Sequence, residues 1–196
     1  LLNSIIEKFS IQITFVDLGD LDEWEKSVQK NTKLFLLETP SNPLGEVVDI
    51  EKLAAISKKN NIVLAVDNCV MTPALQKPLT LGADLVIHSA TKYIDGQGRC
   101  LAGAVAGSES LIDEISAFTR STGPTLSAFN AWIVLKGLET LKIRMDAHCK
   151  SAKKLAVWLG EQSFIKKVHY VGLENHPNHE IAKKQQTGFG GIVSFE

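Results

Sequence analysis

The chain has 196 residues, 44% of them apolar, so it is long enough to bury a hydrophobic core and to form one domain or part of two. Its 21 basic and 22 acidic residues give a formal charge of -1, and neither sign is concentrated in a run that would favour nucleic acid or an anionic membrane. No stretch approaches the ~20 apolar residues of a membrane span, and no basic segment precedes a short apolar one, so we expect neither a span nor a secretory signal.

The three cysteines, Cys69, Cys100 and Cys149, are isolated and lack C-x-x-C spacing. We therefore predict no disulfide framework and no metal site, and we expect three small buried side chains in a reducing, cytoplasmic setting. The first residue is Leu1, and the last residues read as a strand cut off in progress. Both ends are thus expected to be interior positions of a longer protein.

The first part of the chain alternates predicted strands with predicted helices. Short apolar runs, several of them rich in β-branched residues, predict strands at residues 13–16, 33–37, 62–66, 84–87 and 101–106. Helical spacing and capping residues predict helices at residues 21–30, 49–59 and 109–119, with a turn-rich connector at 75–78. This alternation predicts an α/β fold, with a mostly parallel sheet between helices.

From about residue 127 the pattern changes to one long run at helical spacing. Apolar side chains recur from Phe129 to Leu159, with Gly137 as the one weak point. An unbroken helix of this length would reach ~50 Å, too long for one compact domain. We therefore predict a large domain at residues 1–143, joined by this helix to the start of a smaller α+β domain at residues 144–196, whose strands are residues 164–171 and 191–195.

Polar groups follow three of the predicted strands. Asn42 follows the strand at residues 33–37, Asp67 ends the next strand, and Ser89-Ala90-Thr91-Lys92 follows the one after that. Ligands of open α/β sheets bind beyond the carboxyl ends of the strands, so these groups are expected to share one site.

A strand-end lysine beside hydroxyls and a carboxylate fits the chemistry of pyridoxal 5′-phosphate (PLP). Lys92 would hold the cofactor aldehyde as an imine, since a buried site near positive charge lowers a lysine pKa and frees the amine to attack. Asp67 would pair with the pyridine nitrogen, Ser89 and Thr91 would donate to the phosphate, and Asn42 would bond the phenolic oxygen. The alternatives are a solvated lysine, an N-cap or Asx-turn at Asp67, an Asx-turn at Asn42, and ordinary turn hydroxyls.

The same segments resemble the Cys/Met-metabolism family of PLP-dependent transsulfuration enzymes, over most of the chain. The matching segments are E-T-P-S-N-P at residues 38–43, A-V-D-N at 65–68, T-P-A-L-Q-K-P at 72–78 and L-G-A-D-L-V-I-H-S-A-T-K-Y at 81–93. The resemblance implies a type I aminotransferase-like large domain, with Lys92 as the cofactor lysine and Asp67 as the pyridine partner. It also implies an amino-acid substrate and a homo-oligomer, a dimer of dimers in the family.

Within the family, residues 95–107 and 119–132 look most like the sulfhydrylases of O-succinylhomoserine. This implies an enzyme of methionine biosynthesis that makes homocysteine from that activated homoserine ester and sulfide. Cystathionine γ-synthase, cystathionine γ-lyase and methionine γ-lyase are the alternatives. Another is a folded but inactive fragment, because the ring-stacking and substrate-carboxylate residues of the family are not found in the chain. Cys69 stands where the family often has Thr, and Arg99 could bind a succinyl carboxylate or form a surface ion pair.

Overall fold

A computed structural model describes residues 5–196 as seven α-helices around a four-stranded sheet and a two-stranded sheet. The helices are α1 (Leu21–Lys26), α2 (Ile50–Lys59), α3 (Thr72–Leu75), α4 (Glu109–Thr122), α5 (Ala128–Glu139), α6 (Leu141–Gly160) and α7 (His179–Gln185). The strands are β1 (Leu34–Glu38), β2 (Val63–Asp67), β3 (Leu85–Ser89), β4 (Gly103–Gly107), β5 (Val168–His169) and β6 (Ser194–Phe195). Two 3₁₀ turns occupy Ile6–Phe9 and Pro78–Leu81, and one π-helical turn occupies Ala90–Ile94.

Side-chain caps explain where the first two helices begin. The Asp20 carboxylate accepts a hydrogen bond from the Glu23 N–H at 3.0 Å, and the Asp49 carboxylate accepts one from the Lys52 N–H at 3.1 Å. These bonds satisfy N–H groups that have no partner within the helix. The helix predicted at residues 49–59 is confirmed, whereas the one predicted at 21–30 already ends at Lys26.

The large sheet has the order β1-β2-β3-β4, with the first three strands parallel and β4 antiparallel to β3. The predicted mostly parallel sheet is therefore confirmed, with an antiparallel edge. A parallel β4 would need a crossover connection, usually a long helix, and the chain makes only a turn and a loop between β3 and β4. The strand predicted at residues 13–16 is wrong, because those residues have no regular structure.

The two faces of this sheet differ in how well they are covered. On one face, Phe35, Leu37, Leu64 and Val66 are buried in one cluster with Trp24 of α1 and residues of α2. Alternate positions point to the opposite face, which we call the open face. There Leu34 is 50% exposed, Leu36 is 43% exposed and Val105 is 40% exposed. By the same alternation, the side chains of Glu38, Asp67 and Ser89 belong to the open face.

The single long helix predicted from residue 127 is wrong. Helix α5 ends at Glu139 and α6 begins at Leu141, with Thr140 between them at φ −111° and ψ 2°. The corner brings Gly137 against the backbone of Ile94 and Asp95, a contact that a straight helix has no reason to make. The predicted boundary between residues 143 and 144 falls inside α6, and residues 1–4 of the predicted large domain lie outside the described residues.

Buried amides tie the C-terminal segment to the strand ends of the sheet. The Gln186 side-chain amide donates to Gln76 Oε1 at 2.8 Å, and Gln76 Nε2 donates to the Thr39 carbonyl at 2.8 Å and to Asn68 Oδ1 at 3.0 Å. Gln76, Thr39 and Asn68 are each 1% exposed. Because a buried amide left unpaired is costly, this network fixes α7 and its neighbours against the loops that follow β1 and β2.

Among residues 5–196, no helix combines the length and the apolarity needed to cross a bilayer.

The strands predicted at residues 164–171 and 191–195 are present but shorter, as the antiparallel pair β5 and β6.

We expect Gly137→Ala to destabilise the fold by about 1–3 kcal/mol through overpacking. An ideal Cβ at this position would lie 2.2 Å from the Ile94 carbonyl oxygen and 2.9 Å from Asp95 Cα, so the backbone would have to shift. Urea unfolding followed by circular dichroism measures the change. Gly160→Ala is the control, since its added Cβ meets open space; equal effects of the two substitutions would contradict this account of the corner.

Candidate active site

Asp67 is the last residue of β2, and its carboxylate is held by a local turn. Its Oδ1 accepts a hydrogen bond from the Cys69 N–H at 2.9 Å, the Asx-turn that aspartate commonly forms. In the sheet Asp67 lies opposite Glu38 of β1 on one side and opposite Ile87 of β3 on the other. The half-buried carboxylate therefore stands at the carboxyl edge of the sheet, between two neighbouring strands.

The negative charge of Asp67 acts on three other ionisable groups, Glu38, His88 and Cys69. Burial, and then the charge of Asp67, raise the pKa of Glu38, while the backbone N–H of Asn42 acts in the opposite direction. Burial also lowers the pKa of His88, although Asp67 opposes that shift, so the imidazole is neutral near physiological pH. Glu38 was not a predicted site residue, because its place beside Asp67 depends on the strand register.

Cys69 links the ends of β2 and β3. The Ser89 N–H donates to its sulfur, and burial together with a hydrogen bond to Asp67 raises the pKa of the thiol to about 12. The cysteine therefore keeps its proton and acts as a neutral bridge between the carboxylate and the start of the lysine turn. All three cysteines are free, but the expectation of three buried side chains is wrong, because Cys69, Cys100 and Cys149 are each only half-buried.

Lys92 lies in the π-helical turn that directly follows β3. The Asp95 N–H bonds the Ala90 carbonyl at 2.9 Å, which closes the turn, and Lys92 itself has the non-helical angles φ −83° and ψ −119°. Turns of this kind occur often at functional sites. The exposed lysine follows Ser89 by three residues, and the backbone has left the extended path of the strand between them.

The two predicted phosphate donors have different surroundings. The Thr91 hydroxyl donates to the Ala102 carbonyl at 3.2 Å and accepts from the Ala102 N–H at 2.9 Å, so it already anchors the segment before β4. The Ser89 hydroxyl takes no part in these bonds. Of the pair, Ser89 is thus the better placed to bind a ligand.

An ion pair between the buried Asp95 and the partly exposed Arg99 closes the glycine-rich loop after the lysine turn. The Arg99 guanidinium contacts Asp95 Oδ1 at 2.7 Å, and the Arg99 N–H donates to Asp95 Oδ2 at 2.7 Å. Burial raises the pKa of the Asp95 carboxyl, but the hydrogen bonds from Arg99 and Gln97 outweigh it, so the pKa lies below its ordinary value. The ion-pair interpretation of Arg99 is the one that this geometry favours.

The structure brings Asp67, Ser89 and Lys92 to one edge, at the ends of β2 and β3. Asn42 lies in the loop after β1 with its side chain exposed. A carboxylate, a hydroxyl and a lysine amine are the groups needed for the pyridine nitrogen, the phosphate and the aldehyde of PLP, so this set of residues fits the cofactor. In residues 5–196 no group of three or more His, Cys, Asp or Glu side chains is arranged to hold a metal ion.

This edge of an α/β sheet has the elements of a PLP-dependent enzyme. The family model described as "Cys/Met metabolism PLP-dependent enzyme" matches residues 1–196, and the chain belongs to that family. The predicted family and the predicted cofactor are thereby confirmed.

Curated relatives include enzymes of several activities. The chain is 57% identical over 196 residues to O-succinylhomoserine sulfhydrylase of Pseudomonas aeruginosa, an alignment that covers 100% of this chain and 49% of the relative. It is 45% identical over 194 residues to L-methionine gamma-lyase of Fusobacterium nucleatum, covering 97% of this chain and 49% of the relative. The chain thus spans about half the length of these relatives.

Solved structures agree on the fold. The crystal structure of metB from Corynebacterium glutamicum matches with a TM-score of 0.96 and 39% identity, over 99% of this chain and 51% of that one. Cystathionine gamma-lyase from Lactobacillus plantarum, complexed with L-serine, matches with a TM-score of 0.98 and 34% identity, over 100% of this chain and 51% of that one. The predicted α/β fold class is confirmed.

The raised pKa of Cys69 predicts a pH-dependent contribution to stability. The folded state keeps the thiol proton that the unfolded state releases, so this contribution is complete below the ordinary thiol pKa and is lost as the pH rises from there to about 12. Cys69→Thr keeps a hydrogen-bond donor that does not titrate in this range. Urea unfolding across alkaline pH should therefore show the wild type losing stability relative to Cys69→Thr.

Cys100→Ser is the control for general effects of removing a thiol. A stability difference between wild type and Cys69→Thr that stays constant with pH would contradict the bridging role of the Cys69 thiol.

Proposed function

We propose that the protein is a PLP-dependent sulfhydrylase that makes homocysteine from an activated homoserine ester, O-succinylhomoserine, and sulfide, in methionine biosynthesis. The observation that carries the proposal is the 57% identity to O-succinylhomoserine sulfhydrylase along the entire chain. The loop at residues 95–99 belongs to the segment whose sequence resembles that enzyme. It adjoins the lysine turn and is held by the ion pair between Asp95 and Arg99.

The residues of the site would divide the work as follows. PLP, when bound, supplies the electron sink that weakens bonds at the substrate carbon next to the amine. Asp67 would hold the pyridine nitrogen by a charge-assisted hydrogen bond, from a carboxylate already oriented by the Cys69 N–H. Lys92 would hold the cofactor aldehyde and, once released from it, would carry protons between substrate carbons as a general acid and base.

The remaining predicted residues would bind the rest of the cofactor. Ser89 would donate to the phosphate. Thr91 would have to give up its bond to the Ala102 carbonyl to do the same, so we propose Ser89 as the main donor and Thr91 as the secondary one. Asn42 would bond the phenolic oxygen of the ring. Its amide is exposed, and the backbone of its loop is anchored where the Ser41 N–H bonds the Glu46 carbonyl at 2.9 Å.

A γ-lyase acting on methionine is the second candidate, since the chain is also 45% identical to L-methionine gamma-lyase of Fusobacterium nucleatum. Both activities require the same lysine and the same pyridine partner. They differ in the group that is exchanged at the substrate: the sulfhydrylase adds sulfide and releases succinate, whereas the γ-lyase releases methanethiol from methionine.

We also propose a cytoplasmic homo-oligomer, a dimer of dimers, with a large domain up to residue 143 and a smaller one after it. Large apolar side chains on α4 to α6 support an assembled state, because they would be costly to leave in water. Their exposed fractions are 66% for Phe118, 67% for Phe129, 54% for Trp132 and 74% for Ile143.

Borohydride reduction of the full-length protein with PLP should attach the cofactor to Lys92. Peptide mass mapping identifies the labelled lysine, and Lys92→Ala should abolish the label and lower turnover by about 10²–10⁴-fold. Lys136→Ala is the control, because Lys136 is an exposed lysine that pairs with Glu139. A label at another lysine would contradict the assignment of Lys92 as the cofactor lysine.

Product analysis separates the two candidate activities. We expect homocysteine from O-succinylhomoserine plus sulfide, and little turnover of methionine alone, because the proposed enzyme adds sulfide to its substrate. Mass spectrometry of both reactions measures the products. Faster release of a thiol from methionine than formation of homocysteine would favour the γ-lyase.

A further inference from the structure

The guanidinium of Arg144, on α6, hydrogen-bonds both the turn that carries Lys92 and the corner between α5 and α6. Its Nη1 donates to the Tyr93 carbonyl at 2.7 Å, and its Nη2 donates to the Ile94 carbonyl at 3.2 Å and to the Gly137 carbonyl at 2.8 Å. Its Nε donates to the Thr140 hydroxyl at 3.1 Å. These four bonds go to backbone carbonyls and a hydroxyl, and none goes to a carboxylate.

The two carbonyls directly after Lys92 need a donor from outside the turn. Were the helix to continue, the Gln97 N–H would bond the Tyr93 carbonyl. Instead it donates to Asp95 Oδ2 at 3.4 Å, as the chain folds around that buried carboxylate. The guanidinium takes the place of the missing backbone donors, as basic side chains do at helix C-termini.

Two glycines make room for this arrangement. At Gly96, with φ +75°, an ideal Cβ would lie 2.2 Å from Arg144 Nη1. At Gly137 it would lie 2.2 Å from the Ile94 carbonyl oxygen. The guanidinium and the lysine turn can therefore approach α5 only because both positions lack a side chain.

We infer that Arg144 is a positioning residue for Lys92: it fixes the backbone just after the lysine and so sets where the amine stands relative to Asp67 and Ser89. The inference rests on the proposed function of Lys92 as the residue that holds PLP. The stem of a lysine is flexible, but the backbone that carries it fixes the region that the amine can reach. Small displacements of a reacting group can cost up to ~10²-fold in rate.

The test compares Arg144→Gln, Arg144→Lys and the wild type in the full-length protein. With excess PLP, we expect borohydride trapping at Lys92 to slow by about 10–100-fold in Arg144→Gln. The slowing should be smaller in Arg144→Lys, which keeps the positive charge but loses the planar, forked set of guanidinium donors. Trapping is measured by peptide mass mapping and scaled to the folded fraction from circular dichroism. Lys142→Gln is the matched control, since Lys142 lies on the same helix and, among the described residues, pairs with the exposed Asp146 at 2.6 Å.

Equal trapping per folded molecule in Arg144→Gln and the wild type, with only the unfolding midpoint lowered, would overturn the inference and leave the proposed function intact. A wild type that traps no PLP at Lys92 would overturn both. If Arg144→Gln does not fold, Arg144→Lys decides in the same way, because wild-type trapping in that variant would show that the forked contact does not matter.

Discussion

The parallel register of β2 against β3 is the constraint on which the rest of the site depends. It places Asp67 opposite Ile87, two residues before Ser89, so a carboxylate and a hydroxyl far apart in the sequence reach one edge on the same face. Cys69 then joins the two strand ends, because its sulfur accepts the Ser89 N–H while its thiol bonds Asp67. A shift of the register by one residue would turn these side chains to opposite faces.

Beyond the sheet edge, placement depends on groups that replace missing backbone partners. The turn after β3 leaves carbonyls without helical donors, and Arg144 supplies those donors from α6. The buried Asp95 carboxylate gathers the N–H groups of Gln97 and Arg99 and is neutralised by the Arg99 guanidinium. Buried amides around Gln76 do the same for the loops after β1 and β2. Pairing these groups avoids the cost of leaving them unpaired in the interior, although Gln186 Oε1 in the same amide network has no hydrogen-bond partner.

Most strands and helices of the large sheet region were predictable, because they depend on local sequence patterns. Continuous apolar runs marked β1 to β3, a cap near Asp20 marked the start of α1, and helical spacing marked α2. The long predicted helix failed at Thr140, three residues after Gly137, the one weak point of its helical spacing. The break serves a tertiary contact, in which Gly137 meets the backbone of Ile94. The strand predicted at residues 13–16 is also absent. Val16 packs against the core there, but the segment has no strand to pair with.

By itself, the sequence determined the α/β class and the PLP cofactor, and it identified Asp67, Ser89 and Lys92 as candidate site residues. It could do so because each of these residues follows a predicted strand within one short contiguous segment. Only the tertiary structure decided the roles of Glu38, Cys69 and Arg144. Glu38 acquires its raised pKa from burial and from the neighbouring strand. Arg144 meets the lysine turn from 50 residues away, and no local periodicity encodes a contact across that separation.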